Sequence, residues 1–585
     1  MANEIFKSAG SGASNHQSVF DLSHDKKFTA NFGYLYPVFN KMANPGDRWN
    51  VIPEIIVRIN PLISPVLHDI IAHLHFYFTP LRLVDKNFTK FSGADSPTGE
   101  YIGTVPLAGF EANGNKIKAH DLMKANTSDS PGTQNPVNLS NPEGYVSDMI
   151  YNLIVAEAEA GTSTNYEIPE DSLPVAWPLR CYKYIWNEFF RDANIQSKIR
   201  FDEDQPSPEY RNDFNLLTVN HTKDRFTSMS LLQQRGTSPA LPITGMGSVI
   251  FPNIGNITSA TEFNVKAGVN GINLYASKNV STNPGAVTIE AQTNNQFQMT
   301  QMKAQPADAS ALQNIFNNNS IDTSQLTSVS INELRTAIQQ QRWMERSARA
   351  GTRYNELLIA HHGIAPHDET LGRPKYLGGM KAPIMISEVL QTSESGNNTK
   401  QGNMAGHGIC LASQKVCDYT VKEYGIITGV MFLRPKLQYA NNRIDKEWLI
   451  RTKEELYWQE YQHLSEQAIL GKEMHVNQRI NNTNGVAIPD YNNKIIGYQS
   501  IYSEYKSAHS TVHGLFRTPS FASWHCARYL NKPLFNSSFI TVNNTEFNRI
   551  LAVTSQPAFL VSIGFKVKAA RRISFYSDPG LMDHF

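Results

Sequence analysis

Four cysteines in 585 residues, Cys181, Cys410, Cys417 and Cys526, are too few and too scattered for a disulfide framework, and no CxxC pair offers a zinc site. A reducing compartment is the expected setting. No stretch approaches about 18 apolar residues in a row, and the opening MANEIFKSAGSGASNHQSVFDLSHDKK lacks the apolar centre of a signal peptide. The expectation is therefore a soluble protein made in the cytosol, with no membrane insertion. Charge is scarce as well: 18% of residues are Asp, Glu, Lys or Arg, against about 25% in an average soluble domain. With a formal net charge of +1, the chain exerts no global attraction on nucleic acid or acidic membranes, so any such binding needs a local patch. A polar, weakly charged surface rich in Asn, Ser, Thr and Gly suits contact with other protein.

Catalytic signatures are missing too. There is no phosphate loop, dinucleotide fingerprint, GxSxG elbow or HExxH. His361-His362-Gly363 with His367, Asp368 and Glu369 combines imidazole and carboxylate as a metal site would, and His73 with His75, or His407 between two glycines, forms a thinner grouping. None shows ligand spacing, and histidines in polar β-rich surfaces mostly make hydrogen bonds, so no metal or cofactor is expected. A carboxylate pair for glycoside hydrolysis needs only to meet in space, which keeps a β-rich carbohydrate-binding or carbohydrate-active protein as the alternative to a binding or assembly protein.

What the chain does contain centres on residues 48 to 83, RWNVIPEIIVRINPLISPVLHDIIAHLHFYFTPLRL. Val51 to Ile59 and Ile70 to Phe78 have the length and β-branched or aromatic content of core strands. Pro53, Pro61, Pro65 and Pro80 lack the N–H of a central ladder and are expected at strand ends, bends or edges. Period-two geometry puts His73, His75 and Tyr77 on one face and Leu74, Phe76 and Phe78 on the other. The first trio is expected to meet loops or a neighbouring subunit.

Residues 1–27 read as a polar arm that needs something to hold it. The stretch 92–172 is an acidic excursion, with twelve acidic residues against Lys116, Lys118 and Lys124 and a short helix around Met149 to Val155. In 173–195, Leu179, Tyr182, Ile185, Trp186 and Phe189 fall at helical spacing, fitting a core stripe better than a stacking platform. Residues 237–329 are a large low-charge insertion with short strands such as Val287 to Ala291, suited to a surface protrusion and equally to a tolerated insertion. Ser330 and Glu333 open a helix burying Ile331, Leu334 and Ile338, broken at Gly351 and resumed by Tyr354, Leu357 and Leu358. Arg342, Arg346, Arg349 and Arg353 lie along it as a ridge or a salt-bridged face. Val421 to Leu437 reads as a strand buried on both faces, and Thr452 with Glu455 as the start of a helix running to Gly471. The clearest strand is FLVSIGFKVK, with Phe559, Val561, Ile563, Phe565 and Val567 on one face and Ser562, Gly564, Lys566 and Lys568 on the other. Arg571 and Arg572 follow it and make a local basic cluster with Lys566 and Lys568.

Taken in series, FDLSHDKKFTANFGYLYPVFNKMANPGDRW, PLISPVLHDIIAHLHFYFTPLRLV, LPVAWPLRCYKYIWNEFFRDANI, RWMERSARAGTRYNELLIAHHG and SEYKSAHSTVHGLFRTPSFASWH resemble the major capsid protein of the gokushoviruses, small single-stranded DNA bacteriophages of the Microviridae. The likeness runs from about Phe20 to the closing SDPGLMDHF, the two excursions excepted. It implies a mainly β chain forming a single eight-stranded antiparallel jelly-roll barrel over residues 1–585, with long loop insertions containing short helices. It further implies a non-enzymatic subunit, one copy at each position of a small T=1 icosahedral capsid, assembled in the host bacterial cytoplasm. The implied partners are further copies of the chain, an internal scaffolding protein, a small basic DNA-packaging protein, a DNA pilot protein and the single-stranded genome, for which Lys566, Lys568, Arg571 and Arg572 are the candidate contacts. Residues 237–329 occupy the place of the family's threefold protrusion, which implies contact with a host surface receptor.

Overall fold

The strict alternation of FLVSIGFKVK becomes a thirteen-residue strand, Phe559–Arg571, in which every second residue is buried. In the computed structural model, which describes residues 17–92, 146–152, 174–199, 215–239, 263–268, 271–276, 331–392, 402–463, 466–478 and 490–573, this strand lies between two others. The chain forms two compact units, Met1–Gly236 together with Met344–Phe585, and Thr237–Trp343.

Among the described residues of the first unit, eight strands of seven or more residues carry the fold: β1 (His24–Ala30), β2 (Tyr34–Ala43), β3 (Arg48–Leu62), β4 (Ile70–Pro80), β5 (Lys375–Leu390), β6 (Met404–Ser413), β7 (Gly425–Pro435) and β8 (Phe559–Arg571). All neighbours are antiparallel. One row runs β1-β8-β3-β6 and the other β2-β7-β4-β5. The long β5 belongs to both, because Lys375–Ile384 pairs with β4 and Met385–Leu390 with β6. Ser18–Asp21 lies along the far end of β8, and Cys417–Thr420 takes the place of β6 beside the first residues of β3.

The inward residues of both rows make one apolar core. Phe559, Val561, Ile563, Phe565, Val567 and Ala569 of β8 are buried, each such side chain contributing about 1.5–3 kcal/mol for the larger types. Phe565 in the first row meets Phe39 (5.2 Å between ring centroids) and Phe76 (6.4 Å) in the second, and those two meet each other at 5.6 Å. Aromatic rings therefore join the rows face to face. Strand β7 is buried on both sides, as its continuous apolar run requires. Its outer side is covered by the helix Trp177–Ile185, whose Leu179, Tyr182 and Ile185 are fully buried core residues.

Several expectations are corrected. Pro53 sits inside β3 rather than at an end, opposite Phe565 of β8. On the other side of β3, partners cover Arg48 to Val51 and Glu54 to Leu62, so Pro53 falls where one partner has stopped and the next has not begun, and its missing N–H costs no ladder bond. The long helix from Thr452 is absent. Glu455 does accept from the Thr452 backbone N–H (3.2 Å), but the turn ends at Glu455, a second single turn follows at Gln459–Tyr461, and Gln467–Leu470 is a strand paired with Ile495–Gln499. A capping box secures one turn and no more. Within the helix Ile331–Ala350, Leu334 and Ile338 are exposed, not buried. Gly351 does break that helix, at φ +92°, before Tyr354–His362.

Of the arm expected over 1–27, residues 18–21 and 24–27 lie in strands held by β8, and residues 1–16 fall outside the described residues. The acidic excursion is described only around the helix Val146–Tyr151. Within 237–329 the described strands are a hairpin of Phe263–Gly268 with Gly271–Ala276; Val287 to Ala291 lies outside the described residues.

Candidate interaction surfaces

On the outer side of β4, pairing sets the side chains in rungs: Lys381, His73 and Phe432 form one, and Gly379, His75 and Val430 the next. His73 stacks on Phe432 with centroids 4.6 Å apart and planes within 6°. His75 lies 5.8 Å from the same ring, and its Nδ1 is 3.1 Å from the Tyr376 hydroxyl. Gly379 is bare because a Cβ there would stand 2.3 Å from that Nδ1. Tyr77 packs against Phe189 at 4.7 Å. A wider helical turn, Trp186–Phe190, follows the Trp177–Ile185 helix and carries Phe189 and Phe190 onto this face.

His73 and Tyr77 are each only 4% exposed, and their surroundings are segments of the same chain. Burial, reinforced by Arg434, His75 and Lys381, lowers His73 to about 3. Burial, then Lys381 and Arg434, lowers His75 to about 4. Burial first, then Tyr376 and Asp368, raises the Tyr77 phenol. All three are neutral at pH 7. Above them opens a cavity of 1110 Å³, walled by this face and by segments around residues 189–194, 219–230, 348–356 and 498–500.

The basic cluster of β8 divides in two. Lys566 is ion-paired with Glu54 on β3. Arg571 pairs with Asp47 (3.3 Å), donates to the Met42 carbonyl (2.9 Å) and covers the Trp49 ring at 4.8 Å. Asp47 sits in the turn before β3 with its side chain 2% exposed, so Arg571 is chiefly a structural clamp. The guanidinium of Arg572 lies over Gly46, where a Cβ would come within 2.7 Å of its Nε. Lys568 projects on the outer face near Asp21. The same outer face exposes Ile56, Leu411, Leu560 and Met385 beside Arg58.

The histidine groupings do not converge on an ion. His361 Nε2 is 3.0 Å from the Ser347 hydroxyl, Asp368 pairs with Arg373, and Glu369 with Lys375. Among the described residues no group of three or more His, Cys, Asp or Glu is placed to hold a metal. All four cysteines are free and buried, and no described helix is long and apolar enough to cross a membrane. Lys381 and Arg434 were not singled out in the sequence, although an arginine closing the apolar run VMFLR is the kind of interruption that marks a strand's outer face.

Two antiparallel rows around one core, joined by long connections, form an architecture that shell-forming structural proteins share with other β proteins. Comparison with known proteins makes this specific: the chain belongs to the phage capsid protein (F protein) family, whose pattern matches residues 9–120 and 159–581. It is 27% identical to capsid protein VP1 of Chlamydia phage 1 and 28% identical to capsid protein VP1 of Bdellovibrio phage phiMH2K, each alignment covering 97% of this chain and 96% of the relative. Capsid protein VP1 of Spiroplasma virus 4 is 24% identical over the same shares. These are the gokushovirus-type proteins that the serial segments resemble, and the chain is accordingly a structural capsid protein rather than an enzyme.

Proposed function

We propose that the chain is the repeating subunit of a small T=1 icosahedral shell around a single-stranded DNA genome, and that its two rows are the halves of one eight-stranded jelly roll. The observation that carries this is the strand order. Counted along the chain, the rows read 1-8-3-6 and 2-7-4-5, the winding produced when a long antiparallel hairpin is rolled into two Greek keys. Such a barrel leaves its connections free to become interfaces, and here the β4–β5 and β7–β8 connections hold most of the chain. Expression with a scaffolding partner should yield closed shells in electron micrographs. A monomer under every assembly condition overturns the reading.

The insertion 237–329 serves in host attachment on this reading. Its support is that Thr237–Trp343 is a compact unit of its own, as a protrusion carried on a barrel would be. Deleting residues 240–320 should leave shells intact and lower adsorption to host cells; loss of folding would instead assign the segment to the core. Single-stranded DNA meets the outer face of β8, with Lys568 and Arg572 reaching phosphate while Lys566 and Arg571 remain engaged with Glu54 and Asp47. An internal scaffolding protein, a small basic packaging protein and a pilot protein complete the assembly, which proceeds in the host cytoplasm and ends in the virion.

A further inference from the structure

We propose that the cavity over the β4–β5–β7 face binds a small organic phosphate of nucleotide size, held by its anionic end against Lys381 and Arg434 and by its ring against the aromatic wall. The inference is independent of the shell reading. The cavity volume, 1110 Å³, is slightly above the few hundred to about 1,000 Å³ usual for small-molecule sites.

Its charges are unevenly used. Arg353 is paired with Glu356, Arg373 with Asp368, Arg349 with Glu466 and Lys223 with Asp192. Lys381 and Arg434 have no acidic partner among the described residues. Arg434 is nonetheless fixed in direction, because its Nη1 donates to the Asn220 carbonyl (2.8 Å) and its guanidinium lies 5.2 Å over the Phe432 ring. A fixed arginine and an exposed lysine offer a phosphate both a planar fork and a point charge.

A second observation points to a ligand. His221 also lines the cavity, is 4% exposed, and neither of its ring nitrogens has a hydrogen-bond partner among the described residues. A buried imidazole left unpaired costs free energy that a ligand oxygen would return. Phe190 and Tyr376 on the same face, with Tyr498 also lining the cavity, supply partly exposed rings for the organic part.

The test is calorimetric titration of the full-length protein with dAMP, deoxyadenosine, inorganic phosphate and a short oligodeoxyadenylate. Saturable binding of dAMP is expected, with deoxyadenosine and phosphate each at least about tenfold weaker, and Lys381→Ala lowering dAMP affinity about tenfold while Lys381→Arg restores most of it. Lys381 is exposed, so the urea midpoint of Lys381→Ala should match the wild type and separate lost binding from lost folding. An oligonucleotide that displaces dAMP identifies a nucleotide of a strand as the source, and one that does not identifies a free nucleotide; either supports the site. No saturable dAMP binding, or binding that survives Lys381→Ala and disappears in Lys568→Ala, overturns it.

Discussion

Lowering the pH from about 7.5 to about 5 should destabilise the subunit through two histidines on β4. In the folded protein His73 protonates at about 3 and His75 at about 4, whereas in the unfolded chain each takes its proton near the ordinary value of about 6.5. Between these limits the unfolded state binds more protons, so stability is complete above about pH 6.5 and falls as the pH drops toward 4 for His75 and toward 3 for His73. At about pH 5 the loss is about 2 kcal/mol for His73 and, because His75 is partly solvated, about 1–2 kcal/mol for His75. His73→Phe keeps a ring against Phe432 and removes the first share. Urea unfolding of unassembled subunits at both pH values measures the effect: the wild type should lose about 2 kcal/mol more than His73→Phe on acidification. Equal losses in the two proteins would refute the reasoning, since they would mean that His73 titrates normally or that its burial is not maintained in solution.

Phe565→Ala should cost about 3–5 kcal/mol, because it empties the contact between the rows; a lowered urea midpoint with a mainly β circular dichroism spectrum would show it. Arg571→Ala strands the buried Asp47 carboxylate and should cost about 3 kcal/mol, whereas Lys566→Ala, on an exposed pair with Glu54, should change stability by less than about 1 kcal/mol. Denaturation of the two variants side by side separates the clamp from the surface pair.

The strands that were legible in the sequence are those that keep period two, above all β8, whereas β7 is buried on both sides and β4, β6 and β7 each carry a shift of register. β8 and the outer trio of β4 could be placed residue by residue, since alternation needs no knowledge of the partner strand. What covers the trio was not legible. Phe189 and Phe190 reach it through a change of helical pitch more than a hundred residues away in sequence, and nothing in IIAHLHFYF encodes that. The place of Pro53 is hidden for a related reason: proline forbids one hydrogen bond, and whether a partner stands at that position depends on where Cys417–Thr420 and β6 stop. In the 452–471 stretch the local signal was genuine, but aromatic residues at 457, 458 and 461 and the pairing of Gln467–Leu470 overrode it. The candidate DNA contacts were visible as a cluster; that Arg571 is turned inward by Asp47 depends on a turn at the far end of the neighbouring strand.

The place of β8 has a consequence for how the protein is made. It lies between β1 and β3, so the first row stays split until Phe559–Arg571 has left the ribosome. At about 5–20 residues per second, roughly half a minute to two minutes separates the synthesis of β1 from that of β8. During that interval both flanking strands present unpaired backbone on the sides that will face β8, a template for wrong pairing with other nascent chains. Crowding on polysomes is therefore the hazard, and the yield of usable subunits should depend on translation speed and temperature through this one late strand.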